Sequence, residues 1–132
     1  RLQARYSALY SSLIIGLGWA VWHLPLFALP WSSQAGLSLP LWTAAIFAQS
    51  VVFTWFYNST NGSVLLAMVL HASVNNSTIF YLAGGSAGVA SAAGYGLYTG
   101  VLILVALALI VIYGTDQLTD GSVPQGAPGS TD

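Results

Sequence analysis

The stretch NGSVLLAMVLHASVNNSTIFYLA, from Asn61 to Ala83, places a histidine and an asparagine in the middle of an apolar run. His71 and Asn75 are four residues apart, so on a helix they share one face. The run is long enough to cross a bilayer, which takes about 20 residues. Strongly polar groups inside a membrane span are costly and usually face the protein interior, where they mark a functional site. This stretch therefore predicts a membrane helix that carries a polar site.

The composition of the chain predicts an integral membrane protein. Of its 132 residues, 56% are hydrophobic and only 4% are charged, whereas soluble domains carry about 25% charged residues. The net charge of −1 excludes a basic surface for nucleic acid. Cysteine is absent, which excludes disulfides and cysteine metal sites.

Four apolar runs predict an all-α, multi-pass transmembrane helical bundle. We expect its membrane spans at about 7–29, 39–57, 61–83 and 95–113. These spans form a predicted transmembrane domain over 1–113, and residues 114–132 are expected to be a disordered polar tail. Arg1 and Arg5 precede the first span, which predicts a cytoplasmic N-terminus. We expect the protein to lie in a prokaryotic cell membrane and to have membrane lipid as a partner.

Two features of the spans predict how the helices end and pack. Pro25 follows His23 by two residues, so the first helix should kink or end there. Small residues recur at every fourth position of this helix, which allows another helix to approach closely; they are Ala8, Ser12, Gly16 and Ala20. Gly96 and Gly100 repeat the spacing in the fourth span. The alternative is that alanine and glycine are simply common in membrane helices.

The second histidine, His23, lies in the first span one helical turn after Trp19. Neutral imidazole binds zinc, and an amide can coordinate weakly or donate a hydrogen bond to a developing oxyanion. The alternative is that these groups hold helices together, which contributes about 0.6 kcal/mol per interhelical hydrogen bond. We assign Gln49, in the middle of the second span, to that structural role.

The chain lacks residues that would complete a catalytic metal site. A catalytic zinc takes about three protein ligands, but only two histidines and one nearby amide are present. Glutamate is absent, and the three aspartates all follow the last span. The aspartates are Asp116, Asp120 and Asp132. A zinc-activated water would also need a general base. The site is therefore incomplete in this chain.

Two stretches resemble motifs of the CPBP or Abi family of intramembrane metalloproteases, which includes CAAX-processing and bacteriocin-processing enzymes. The sequence WAVWHLP, from Trp19 to Pro25, resembles the aromatic-x-x-x-H motif with its trailing L-P. The sequence from Asn61 to Asn75 resembles the H-x-x-x-N motif with its G-S lead-in. The stretch RLQAR, from Arg1 to Arg5, resembles the segment just after the E-E-x-x-x-R motif, whose glutamates would lie upstream of this chain.

The resemblance implies a helical bundle whose catalytic groups face a cavity inside the membrane. His23, His71 and Asn75 would bind a metal, expected to be zinc, or position water and an oxyanion. Trp19 would form a packing wall beside His23. The substrate would be a peptide or a prenylated protein. We expect the full-length protein to be a metalloendopeptidase and this chain alone, without the glutamate base, to be inactive.

Two other functions are compatible with the residues. The missing carboxylate favours a non-catalytic immunity or scaffold module of the membrane. Alternatively, the two histidines could ligate a haem between two spans. The expected offset of His23 relative to His71, about four to six residues at 1.5 Å per residue, disfavours a shared haem.

Overall fold

The computed structural model describes residues 2–83 and 92–121, and of 77–83 and 92–93 it describes the backbone alone. It contains four α-helices: α1 (Ala8–His23), α2 (Leu39–Ser59), α3 (Val64–Ala83) and α4 (Ala92–Tyr113). Short 3₁₀ helices cover Leu2–Ala4 and Leu24–Ala28. No strand occurs within the described ranges, so the predicted helical bundle is confirmed. The predicted linker between the third and fourth spans lies mostly outside the described residues.

Helix α1 begins and ends where its sequence predicts. The Ser7 hydroxyl accepts a hydrogen bond from the Tyr10 backbone N–H, 3.2 Å away, and so caps the first turn. At the other end Pro25 has no N–H to continue the α-helical ladder. The Leu24 N–H donates instead to the Val21 carbonyl, three residues back, and the chain continues as the 3₁₀ helix. The last α-helical residue is therefore His23.

The bundle buries polar side chains and exposes apolar ones, the reverse of a soluble protein. The buried polar side chains include Ser11, Ser12, Gln49, Ser50, Thr54 and Thr99. Large apolar side chains point outward along α1 and α4, such as Leu17, Val21, Leu104 and Val111. Lipid solvates these apolar groups, whereas polar groups need partners inside the protein. Helices α1, α2 and α4 are long and apolar enough to span a membrane, and the apolar part of α3 among the described residues is shorter, Val64–Asn76. The chain is an integral membrane protein.

The small-residue face of α1 packs closely against α2, as its spacing predicts. Its four members are all buried. A Cβ atom on Gly16 would lie 2.8 Å from the Ser50 hydroxyl and 3.0 Å from Cδ1 of Phe47. These distances leave no room for a side chain. Gly16 therefore sets how near the two helices can approach.

The corresponding prediction for α4 is wrong. A Cβ added to Gly96 or Gly100 would meet nothing within 4 Å. Among the side chains described for α4, those of 94–113, the buried ones are Thr99 and Ala106, seven positions apart on one face. Helix α4 therefore packs through this face, and the two glycines do not mark a close contact.

One end of the bundle is closed by the chain that follows α4. The Leu118 side chain is fully buried against Ala8, Ala48 and other small core residues. Its φ of 48° is unusual for a leucine, and burial of the side chain offsets this backbone strain. The Asp116 carbonyl accepts a hydrogen bond from the Ala8 N–H at 2.8 Å. The first part of the predicted polar tail thus packs on the bundle, while 122–132 lie outside the described residues.

Asn58 connects three segments at this closed end. Its amide exchanges two hydrogen bonds with the Gln3 amide, at 3.0 and 3.1 Å, and donates a third to the Gln117 carbonyl at 2.6 Å. The side chain is 2% exposed. Because a buried amide must have its hydrogen bonds satisfied, Asn58 fixes the N-terminal segment and the segment after α4 against α2.

Helix α3 follows a short turn and lies at the edge of the bundle. Asn61 and Gly62 have positive φ angles of 53° and 73°, a conformation that these two residue types adopt most easily. None of the side chains described for α3, Val64–Asn76, is buried. Helix α3 is therefore only partly covered by the other described helices.

Candidate active site

A cavity of about 320 Å³ lies at the end of the bundle opposite the closed end. Four helices contribute side chains to its wall, among them Trp19 and His23 of α1, Gln49 of α2, Asn75 of α3 and Tyr98 of α4. The segment between α1 and α2 adds Ser33 and Gln34. The wall thus combines aromatic rings with amide and hydroxyl groups, and it contains no acidic side chain among the described residues.

The Trp19 indole contacts both imidazoles of the chain. Its ring centroid lies 6.2 Å from that of His23 and 5.4 Å from that of His71. The ring of Phe53, on α2, packs against Trp19 and His71. Its centroid lies 5.8 Å from each of these two rings. Trp19 therefore forms the contact between α1 and α3 at the level of the cavity.

The three side chains predicted from the motifs are thus near one another. His23 and Asn75 line the cavity itself. His71 is an exposed side chain beside the cavity. Its ring contacts Trp19, which also lines the cavity, and Phe53. Their catalytic and metal-binding roles stay predictions.

The orientation of the His23 ring determines which nitrogen can act in the cavity. Its Nδ1 atom lies 2.9 Å from the backbone carbonyl oxygen of Trp19, and a carbonyl can only accept. Nδ1 is therefore the donor of this hydrogen bond, and in the neutral ring Nε2 would be the nitrogen with the free lone pair. Trp42 packs against the same ring at 5.8 Å. The contacts with the Trp19 carbonyl and the Trp42 ring thus fix the orientation of the His23 ring, and they favour the neutral tautomer in which Nε2 can accept a hydrogen bond.

Two adjacent asparagines in α3 have different environments. Asn75 lines the cavity, and its amide forms no hydrogen bond with the described part of the chain. Asn76 donates from Nδ2 to the Ala72 carbonyl of its own helix at 2.9 Å. The Asn75 amide is therefore available for a ligand, whereas the Asn76 amide is satisfied locally.

The residues present do not form a complete zinc site. Within 2–83 and 92–121, no group of three His, Cys, Asp or Glu side chains could hold a metal ion. A catalytic zinc takes three protein ligands at about 2.0–2.3 Å. The two imidazoles and the Asn75 amide supply at most two strong ligands, so the steps proposed below do not pass through a metal. The predicted zinc remains a prediction.

Gln49 is a cavity residue that the sequence did not reveal. We predicted that its amide holds helices together, but it forms no hydrogen bond with the described residues. It is 9% exposed, and it lines the cavity with His23 and Asn75. A single polar residue within a span gives no sequence signal of which way it faces.

The fold and the cavity define a helical membrane protein with a polar site between its spans. Residues 1–77, more than half of the chain, match the model of a protein family. That family is the type II CAAX prenyl endopeptidase Rce1-like family. This chain belongs to that family, and the matched region contains His23, His71 and Asn75. The predicted resemblance is confirmed.

One curated relative supports this assignment. The chain is 28% identical over 117 residues to CAAX prenyl protease 2 of Methanococcus maripaludis. The alignment covers 83% of this chain and 40% of the relative, so the chain spans less than half of that protein's length. No solved structure matches the chain.

Proposed function

We propose that this chain carries the histidine and asparagine part of the catalytic site of a CAAX-type intramembrane endopeptidase. The observation that supports this most strongly is the position of the two motifs around one cavity. His23 and Asn75 lie in its wall, and His71 packs on Trp19 beside it. The family supports hydrolysis as the reaction class.

In this proposal the two polar groups have different roles. The Nε2 atom of His23 accepts a hydrogen bond from the attacking water, because Nδ1 is already bonded to the Trp19 carbonyl. The Asn75 amide donates to the oxygen of the cleaved carbonyl as negative charge develops there. His71 positions the water from the side of α3. The water oxygen bonds to the carbonyl carbon, and the carbon–nitrogen bond then breaks.

The proton of the water passes to a carboxylate and then to the leaving amine. The Asp116 backbone is bonded to Ala8 at the start of α1, whereas His23 is fifteen residues further along, about 22 Å at 1.5 Å per residue. Asp116 is therefore too far from the cavity to serve. We assign this step to the glutamates of the E-E-x-x-x-R motif, which the resemblance places upstream of Arg1.

The proposed substrate is a membrane-bound peptide that ends in a prenylated CAAX sequence. The relative is named as a prenyl protease, and the cavity wall combines apolar rings with amide groups. A lipid-anchored peptide offers both kinds of surface. The immunity or scaffold module and the haem protein gain no specific support from the cavity.

The adjacent asparagines provide a direct test in the complete gene product. Membranes that contain it should cleave a prenylated CAAX peptide. Asn75→Ala should lower kcat by about 10²-fold, the usual effect of removing an oxyanion donor. Asn76→Ala, the matched control, should change kcat by less than about twofold because its amide is bonded within α3.

The result would contradict the proposal if both variants cleaved as well as the wild type or lost activity equally. Metal content measured on the same purified protein would test the predicted zinc separately. The expected outcome for zinc is about one equivalent that falls in the His23→Ala variant.

A further inference from the structure

We infer that Gln49 is a substrate-binding residue whose amide pairs with the peptide backbone of the substrate next to the cleaved bond. This inference rests on the proposed function and adds a contact to the same cavity. It starts from an unusual situation, a carboxamide buried at mid-span without a partner among the described residues.

The position of Gln49 along α2 places it between the two imidazoles. Trp42, seven residues earlier, contacts the His23 ring at 5.8 Å. Phe53, four residues later, contacts the His71 ring at 5.8 Å. Residues at these spacings lie on one face of a helix. A group bound by Gln49 would therefore lie at the level where a carbonyl between the two histidines would be attacked.

The chemistry of the side chain favours a peptide as its partner. A carboxamide has one acceptor oxygen and two donor hydrogens, and a peptide group offers the complementary acceptor and donor. A buried amide without any hydrogen bond costs about 1–3 kcal/mol, and water or substrate must supply one. A hydrocarbon chain has no polar atoms and would leave the amide unpaired. The part of the substrate that passes Gln49 is therefore its peptide and not its prenyl group.

The neighbouring polar residues of α2 do not share this arrangement. The Ser50 and Thr54 hydroxyls donate to carbonyls of their own helix, at 2.8 and 2.9 Å. Thr54 is 6% exposed and does not line this cavity. Thr54 is thus as buried as Gln49 but has its hydrogen bond satisfied, which makes it a matched control.

The test compares Gln49→Met with Thr54→Val in the complete gene product. Methionine keeps the length of the side chain and removes both kinds of hydrogen-bonding atom. We expect Gln49→Met to lower kcat/KM on a prenylated CAAX peptide by about tenfold, the size of one net hydrogen bond at the upper end of its range. Thermal stability in detergent should stay the same or rise, and Thr54→Val should keep kcat/KM within about twofold.

Substrate changes separate binding from helix packing. In a series of peptides, each backbone amide beside the cleaved bond is replaced in turn by an ester, which removes one N–H. With one of these peptides, the loss of kcat/KM caused by Gln49→Met should become smaller, because the hydrogen bond from that N–H to the Gln49 oxygen is already absent in the wild type. If Gln49→Met does not accumulate in membranes, Gln49→Asn replaces it, because asparagine withdraws the amide by one methylene. The loss of kcat/KM in Gln49→Asn should depend on the position of the ester in the same way.

The outcomes distinguish this inference from the proposed function. If the wild type cleaves the peptide and Gln49→Met lowers only the stability, Gln49 is a structural residue and the inference is wrong. A loss of kcat/KM that stays undiminished with every peptide of the ester series would also overturn it. If the wild type cleaves no prenylated peptide, the proposed function fails as well.

Discussion

The two ends of the bundle are built from different kinds of contact. At the closed end, small residues such as Ala8 and Ala48 pack around Leu118, and the amide of Asn58 is fully hydrogen-bonded. At the cavity end, aromatic rings surround the polar side chains, and the amides of Gln49 and Asn75 have no partner among the described residues. Both ends carry amide groups, which are buried at Asn58 and Gln49 and exposed at Asn75. They differ in their amides: the Asn58 amide is bonded to protein atoms, whereas the Gln49 and Asn75 amides line the cavity without a partner among the described residues.

This difference separates stability from function within one set of helices. A membrane protein must satisfy its buried polar groups, and at the closed end the Asn58 amide is satisfied by protein atoms. The buried Ser11 hydroxyl and the Trp55 indole N–H on the same side have no partner among the described residues. At the cavity end the amides of Gln49 and Asn75 are available to water or a ligand. Substitutions at the closed end should therefore change the free energy of unfolding, whereas substitutions at the cavity end should change the rate of cleavage.

The largest effect is expected at His71. In the complete gene product, His71→Ala should lower kcat/KM for a prenylated CAAX peptide by about 10³-fold, because the attacking water loses the imidazole that positions it. Its side chain is exposed apart from the ring contacts with Trp19 and Phe53, so thermal stability should fall only slightly. Met68→Ala, one turn earlier on α3 and 63% exposed, is the control and should retain activity. Retained activity in His71→Ala would remove this residue from the site.

At the closed end, Leu118→Ala should destabilise the protein without changing the chemistry. The side chain is fully buried, so its loss should lower the free energy of unfolding by about 3 kcal/mol. Detergent titration of the purified protein measures this change, and kcat of the folded fraction should match the wild type. The control Leu104→Ala, at 67% exposure, should be nearly neutral. If Leu118→Ala kept the free energy of unfolding of the wild type but cleaved slowly, the closed end would contribute to catalysis and the contrast between the two ends would be wrong.

A smaller effect is expected from the glycines of α1. Gly16→Ala would bring a Cβ within 2.8 Å of the Ser50 hydroxyl and should destabilise the protein by about 1–3 kcal/mol. Gly18→Ala meets nothing within 4 Å and should stabilise α1 by up to about 1 kcal/mol. The two variants, compared by thermal denaturation, should shift in opposite directions. Equal shifts would mean that the close contact of α1 with α2 is absent.

Much of the fold could be predicted from the sequence because it depends on local rules. Low charge and four apolar runs indicate membrane helices, Pro25 ends α1, and the small residues up to Ala20 mark its packed face. The failure at Gly96 and Gly100 has a physical reason. Small residues permit a close contact but do not create one, and α4 packs through Thr99 and Ala106 instead.

The site was predictable only in part. His71 and Asn75 are on one face because of their spacing, and the resemblance to known motifs links them with His23. No sequence pattern indicates that Trp19 contacts both imidazoles, since that depends on how α1 and α3 meet. The orientation of Gln49 was equally hidden, because a lone amide in a span is compatible with either a packing or a binding role.

Cysteine cross-linking tests the convergence of α1 and α3 most directly, because the chain has no cysteine of its own. Thiols introduced by Trp19→Cys and His71→Cys should be joined by a short bifunctional thiol reagent in native membranes, since the two rings are in contact. The control pair combines His71→Cys with Trp22→Cys, whose position is 81% exposed on α1. It should not be joined. Cross-linking of the control pair alone would show that His71 does not face the cavity end of α1 and would contradict the account.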